Sequence, residues 1–190
     1  MKYNDKKHKN KLAWAMQSLS QQQDIYQLPI KDIEMTDVNK ESIDLLNDLI
    51  ETSKDGQKGF ETSAEDLKNP DLKNFFQAHA AECSAAVRNL QAEVRSLGGD
   101  PETKSSVAGS LHRVWVDLKS TLTGKSDEAI LNEVERGEDH ALKTYKEALA
   151  KATEKQLPPN VVNLIRDQLN GTQRNHDQIK LLRDQVRRTA

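Results

Sequence analysis

In four stretches of this chain, residues suited to a helix core return at alternating steps of four and three, the pattern of helices that bury one face along their whole length. The first runs from about Lys40 to Leu67, with Leu46, Ile50, Ser53, Gln57, Phe60, Ala64 and Leu67 on its seam. The second, Asp71 to Leu97, carries Leu72, Phe76, His79, Cys83, Ala86, Leu90, Val94 and Leu97. A third follows Ser126, a good helix cap, to about Ala152, and a fourth runs from about Val161 to Arg187 behind "LPPN". Only "NPD" separates the first two, with Asp71 the expected cap, so these helices must lie antiparallel. Gly98-Gly99 then supplies a left-handed stop.

Between the second and third helices lies a shorter amphipathic run, "VAGSLHRVWVDLKSTLTG", with Leu111, Trp115, Leu118 and Leu122 on one side. At about 1.5 Å per residue it carries the chain roughly 27 Å along a bundle, which makes it a crossover. Trp115 is its expected anchor, and His112 a solvated neighbour. Two helical hairpins joined by a helical crossover give an all-α, ferritin-like four-helix bundle rather than an up-down-up-down bundle with short loops. In this order "LLNDLIETSKDGQKGFETSAED", "LQAEVRSLGGDP", "VAGSLHRVWVDLKSTLTG", "ERGEDHALKTYKEAL" and "QRNHDQIKLLRDQ" resemble a bacterial four-helix-bundle family of ferritin-like fold carried as a domain of unknown function. The resemblance covers about residues 41 to 187 and implies the fold; it brings no established activity.

The rest of the chain excludes more than it assigns. Its 190 residues suit one bundle over 39–190, preceded by a Gln- and Lys-rich extension, 1–38, expected to be loosely ordered and broken at Pro29. Met35 is an alternative start for the natural protein, which intact mass would settle. A net charge of -2 gives no protein-wide field for a phosphate backbone, and "KKHKNK" and "RDQVRR" read as solvated clusters, so no nucleic-acid partner is expected. No apolar run approaches the about 20 residues that span a bilayer, so the expected setting is cytoplasmic, without a membrane partner. One cysteine, Cys83, forms no internal disulfide, and nucleophile-elbow, P-loop, dinucleotide and zinc-protease motifs are absent from the sequence.

The candidate site lies among polar residues inside the seams. Diiron members of the ferritin-like fold place a Glu on each of two helices and Glu-x-x-His on each of the other two. Helical stepping turns Glu138 inward with Val134, Ala141 and Tyr145, sets Glu135 at the edge, and leaves Glu133, Asp139 and His140 wet. His79 and His176 fall on their own seams, at about the height of Glu138. The template then fails: Phe76 and Gln173 stand three residues before the two histidines, and Gln57, flanked by Glu61, occupies the first helix's seam.

Three readings follow. In the favoured one, Glu138 and His176 form a buried charge-assisted pair, supported by Gln57, Ser53, Thr172 and Tyr145, in a structural or interaction protein; general analogy to ferritin-like proteins adds an association with stress. The second is a metal centre of Glu138, His176 and His79, assisted by Glu135 or Glu61, taking iron, zinc or manganese in a metal-binding protein or metal-dependent oxidoreductase. The third is an acid/base site. Assembly into a homo-oligomer through exposed faces is a separate expectation. Gly56, Gly59, Gly137 and Gly171 lie inside helices at about 1 kcal/mol each relative to alanine; close helix packing is the favoured reason, and room for a close ligand, a bulge or a bent helix near the site is the alternative. Cys83 should be an inert core thiol.

Overall fold

In the computed structural model, residues 29–101 and 124–189 are described. They form four helices: α1 Pro29–Asp66, α2 Pro70–Ser96, α3 Asp127–Glu154 and α4 Pro159–Thr189. The chain divides into two units, Met1–Val38 and Asn39–Ala190. Pro29 opens α1 instead of breaking it, because a proline at the first helical position lacks only an N–H that would have no intrahelical partner anyway. Within the extension predicted as loosely ordered over 1–38, residues 29–38 are therefore helical, while residues 1–28 and the predicted crossover, with His112 and Trp115, fall outside the described residues.

Local chemistry fixes the helix ends. The cap of α2 is Asn69, not Asp71: its side chain accepts from the amides of Asp71 and Leu72, with Pro70 at the start of the helix. Asp71 is left in the first turn, where its charge suits the helix dipole. The Asp127 carboxylate accepts from the Lys68 and Asn69 amides at 2.7 and 3.0 Å, tying this turn to the start of α3, whose cap is Ser126. At the end of α2, Gly98 takes φ +80° while its amide donates to Arg95 and that of Gly99 to Val94, the paired bonds of a Schellman stop. A β-carbon on Gly99 would come within 2.8 Å of Ile43, so α1 passes close to this stop. The end of α3 repeats the motif with Gln156 at φ 52°, a conformation that costs a non-glycine residue about 1–2 kcal/mol, while Leu157 beyond it is buried.

Side-chain pairs give the topology. Phe60 meets Phe76, and Gly56 faces Cys83, so α1 and α2 are antiparallel. Glu128 pairs with Arg187, and Tyr145 with Gln168, so α3 and α4 are antiparallel. Ser53 meets Tyr145 and Glu41 meets Lys155, while Lys68 meets Asp127, so α3 also opposes α1 and therefore runs parallel to α2. That parallel succession is the ferritin-like arrangement expected from the sequence.

One apolar cluster holds the Phe60 end of the bundle, with Leu67, Leu72, Phe76, Ile130, Leu131, Val134 and Ile179 buried around it. Toward the other end Leu46, Leu49, Ile50, Leu90, Val94, Ala152, Val161 and Ile165 are buried. The buried polar side chains Ser53, His79 and Glu138 come from the intervening turns.

Candidate functional site

Along α3 the 3.6-residue period carries Val134, Glu138, Leu142 and Tyr145 inward, as expected. Glu138 is only 6% exposed, and its Oε2 has no hydrogen-bond partner. Burial pushes its carboxyl up to about 8, and the nearby negative charges of Asp139 and Glu82 push in the same direction. At neutral pH this residue is therefore mostly a protonated acid, able to donate as well as accept a hydrogen bond.

His79 is also buried, but it serves a different neighbourhood. Its ring centroid lies 4.1 Å from that of Phe75 and 5.5 Å from that of Phe60. Neither ring nitrogen closes a hydrogen bond of ordinary geometry; Glu82 Oε2 stands 4.0 Å from Nδ1, and the Gln178 side chain is close enough to act on the ring. Burial dominates over both neighbours and holds the imidazole below its ordinary pKa, in the neutral form.

The expected partnership of Glu138 with His176 does not form. His176 stays largely buried, its side chain 13% exposed, but pairs with two exposed aspartates, with Nε2 3.0 Å from Asp139 Oδ1 and Nδ1 3.2 Å from Asp177 Oδ1. The hydrogen bond from His176 holds the Asp177 carboxyl below its usual range. Glu135 is committed as well, to Arg183 on α4. Gln57 donates to Glu61 at 2.8 Å, within α1. Of the four predicted ligands, His176 and Glu135 are thus paired elsewhere while Glu138 and His79 lie buried in different surroundings, and no group of three or more His, Cys, Asp or Glu side chains among the described residues could hold a metal ion.

What the bundle does build is a cavity of about 290 Å³ to which all four helices contribute. Ser53 and Gly56 of α1, Cys83 of α2, Glu138 and Tyr145 of α3, and Gly171 of α4 line it. One side is a hydrogen-bonded relay: Ser53 Oγ donates to Tyr145 Oη at 2.8 Å, Tyr145 Oη to Gln168 Oε1 at 2.7 Å, and Gln168 Nε2 to the Ala86 carbonyl at 3.2 Å. Ser53 and Tyr145 were expected to satisfy polar atoms here; Gln168 was not, although it stands three residues after Ile165 and four before Thr172 on a common stripe. Burial, reinforced by Glu138 and Glu82, pushes the Cys83 thiol up to about 12, so it stays an uncharged wall.

Two of the four helix glycines, Gly56 and Gly171, do not follow the expectation of close helix packing. A β-carbon on Gly56 would meet Cys83 Sγ at 3.5 Å, an ordinary contact, and one on Gly171 would find only the far end of Arg174, at 3.8 Å. Space, not crowding, surrounds both.

Residues 41–151 match the family described as a domain of unknown function, DUF2383. The chain belongs to this family. The parallel α2 and α3 thus give DUF2383, in this chain, a ferritin-like bundle. A solved structure described as ferritin-like, diiron-carboxylate proteins from Bacillus anthracis str. Ames is similar over 76% of this chain and 96% of its own, with a TM-score of 0.60. At 18% identity this likeness concerns the fold alone. No curated protein matches the sequence. Among the described residues, no helix is long and apolar enough to cross a membrane.

Proposed function

We propose that this DUF2383 chain is a non-catalytic interaction protein, a ferritin-like bundle that binds a small molecule at the level where diiron members of the fold hold their metals. One observation carries the reading: Glu138 is buried with an unpartnered oxygen on the wall of a cavity, while the other ligands that a diiron centre would need are absent, paired elsewhere or, like His79, outside that cavity. Phe76 and Gln173 stand in place of the two template glutamates, Arg183 neutralises Glu135, and His176 faces Asp139 and Asp177. A diiron centre needs bridging carboxylates, and a single protonated acid does not provide them. The donor set therefore does not fit the cofactor that the similar solved structure's description names.

A second reading, a single-metal site, has its own support in the unpaired nitrogens of His79 and the unpaired Oε2 of Glu138. Against it, His79 does not line the cavity that Glu138 faces. Metal content separates the two. Untagged protein, after incubation with ferrous iron, zinc or manganese and desalting, is expected to retain far less than one metal per chain. Near-stoichiometric metal that disappears in both His79→Ala and Glu138→Ala would overturn the proposal.

A further inference from the structure

Small side chains of α2 and α4 form part of the cavity lining. Ala85 and Ala86 on one helix and Gly171 on the other leave a gap that larger residues would fill, and Ala141 of α3 adds another methyl wall. Its volume of about 290 Å³ is near the lower limit for pockets that hold organic molecules, so the occupant is small. Glu138, with its orphaned oxygen, provides a polar anchor among these apolar walls. An unpaired buried acid is costly to the fold unless something meets it.

The charges select what that something is. On the lining, α1 supplies Thr52, Ser53 and Gly56, none of which titrates. From α2 come Glu82 and the neutral Cys83 thiol; from α3 come Glu138 and the neutral Tyr145 phenol, with Asp139 acting from behind. From α4 comes Arg174, an exposed residue whose guanidinium end stands 3.8 Å from where a Gly171 β-carbon would lie and which is not among the charges acting on Glu138. The field at Glu138 is negative, so it repels an anion and attracts a cation. A divalent metal ion lacks the cluster of donors it needs. A neutral molecule could satisfy Oε2, but it would gain nothing from Glu82 and Asp139.

Resting on the reading of this bundle as a binding protein, we propose that the cavity takes a small organic cation, an alkylammonium whose charged end pairs with Glu138 and whose hydrocarbon body lies against the alanine and glycine walls. The occupant is thus recognised by a charge at one end and by limited bulk at the other.

The test uses the full chain, metal-free and nitrogen-15 labelled, titrated with n-butylammonium chloride, butan-1-ol and sodium butyrate at one ionic strength and pH 8. The expected result is saturable shifts at the amides of Ala86, Gly171 and Thr172, with butylammonium bound at least about tenfold more tightly than butanol and butyrate not bound. Glu138→Gln keeps the size and hydrogen bonding of the protonated acid, and should bring butylammonium down to the affinity of butanol. Gly171→Leu places bulk in the cavity wall and should abolish binding of both. Equal affinities for butylammonium and butanol in the wild type, no saturable shift at all, or binding that survives Gly171→Leu would each overturn the proposal. Failure here in protein that also retains no metal defeats the cation assignment alone, whereas stoichiometric metal defeats the binding reading beneath it.

Discussion

Replacing Glu138 with glutamine is expected to stabilise the fold at pH 7.5 and to change it little at pH 4.5. The folded chain holds the Glu138 proton up to about pH 8, whereas the unfolded chain releases it near 4.5. Between these values the folded state binds more protons, so the stability associated with the neutral acid is complete below pH 4.5 and is lost as pH rises through 8. At about 1.4 kcal/mol per pH unit, the loss by pH 7 is about 3 kcal/mol, a large share of a domain's net stability. Glutamine carries no titrating proton and keeps a similar shape. Urea unfolding of both proteins at the two pH values measures the difference directly. Wild type and variant with parallel pH dependence would mean that Glu138 titrates in the fold as it does in the unfolded chain, either solvated or with its burial offset by a positive charge.

The second large effect is expected at Phe76, in the position where a diiron template would have glutamate. Its side chain is fully buried and meets Phe60 edge-on, with ring centroids 5.5 Å apart. Phe76→Ala should lose about 3–5 kcal/mol, combining lost burial with a cavity that surrounding helices fill only in part. Thermal or urea unfolding at constant pH reports it. A loss below about 1 kcal/mol would show that the Phe60 end of the bundle is not the packed core described here.

These two residues show how much a period can reveal. Four-three stepping identified Phe76 and Glu138 as inward, and the order of hairpins identified the parallel α2 and α3, because both depend on geometry within one helix or on loop length. His176 was placed on a seam by the same arithmetic and is instead half-buried and turned to Asp139. The reason lies in α4's surroundings: its face between Ile165 and Ile179 borders the cavity, so residues there keep no continuous wall to pack against. Asp139 and Glu138 are neighbours in sequence but about 100° apart around the helix, and which of them a histidine from α4 reaches depends on how the helices are spaced. The cavity was legible only as the less favoured reading of the interior glycines, since it arises where side chains of four helices distant in sequence meet, which no single helix's period reports. Asn69 was missed as the cap for a more local reason: Pro70 takes the first helical position, which moves the capping role one residue before it.

Glu138 is a neutral acid with an unpartnered oxygen at the centre of this ferritin-like bundle. Carbon-13 NMR of the glutamate side-chain carboxyls, with the Glu138 signal assigned by its loss in Glu138→Gln, follows that proton through a pH titration of the metal-free protein. The account predicts a midpoint of about 8. A midpoint at or below the ordinary value of 4.5 would contradict it, because such an acid is either solvated or already held by a positive charge.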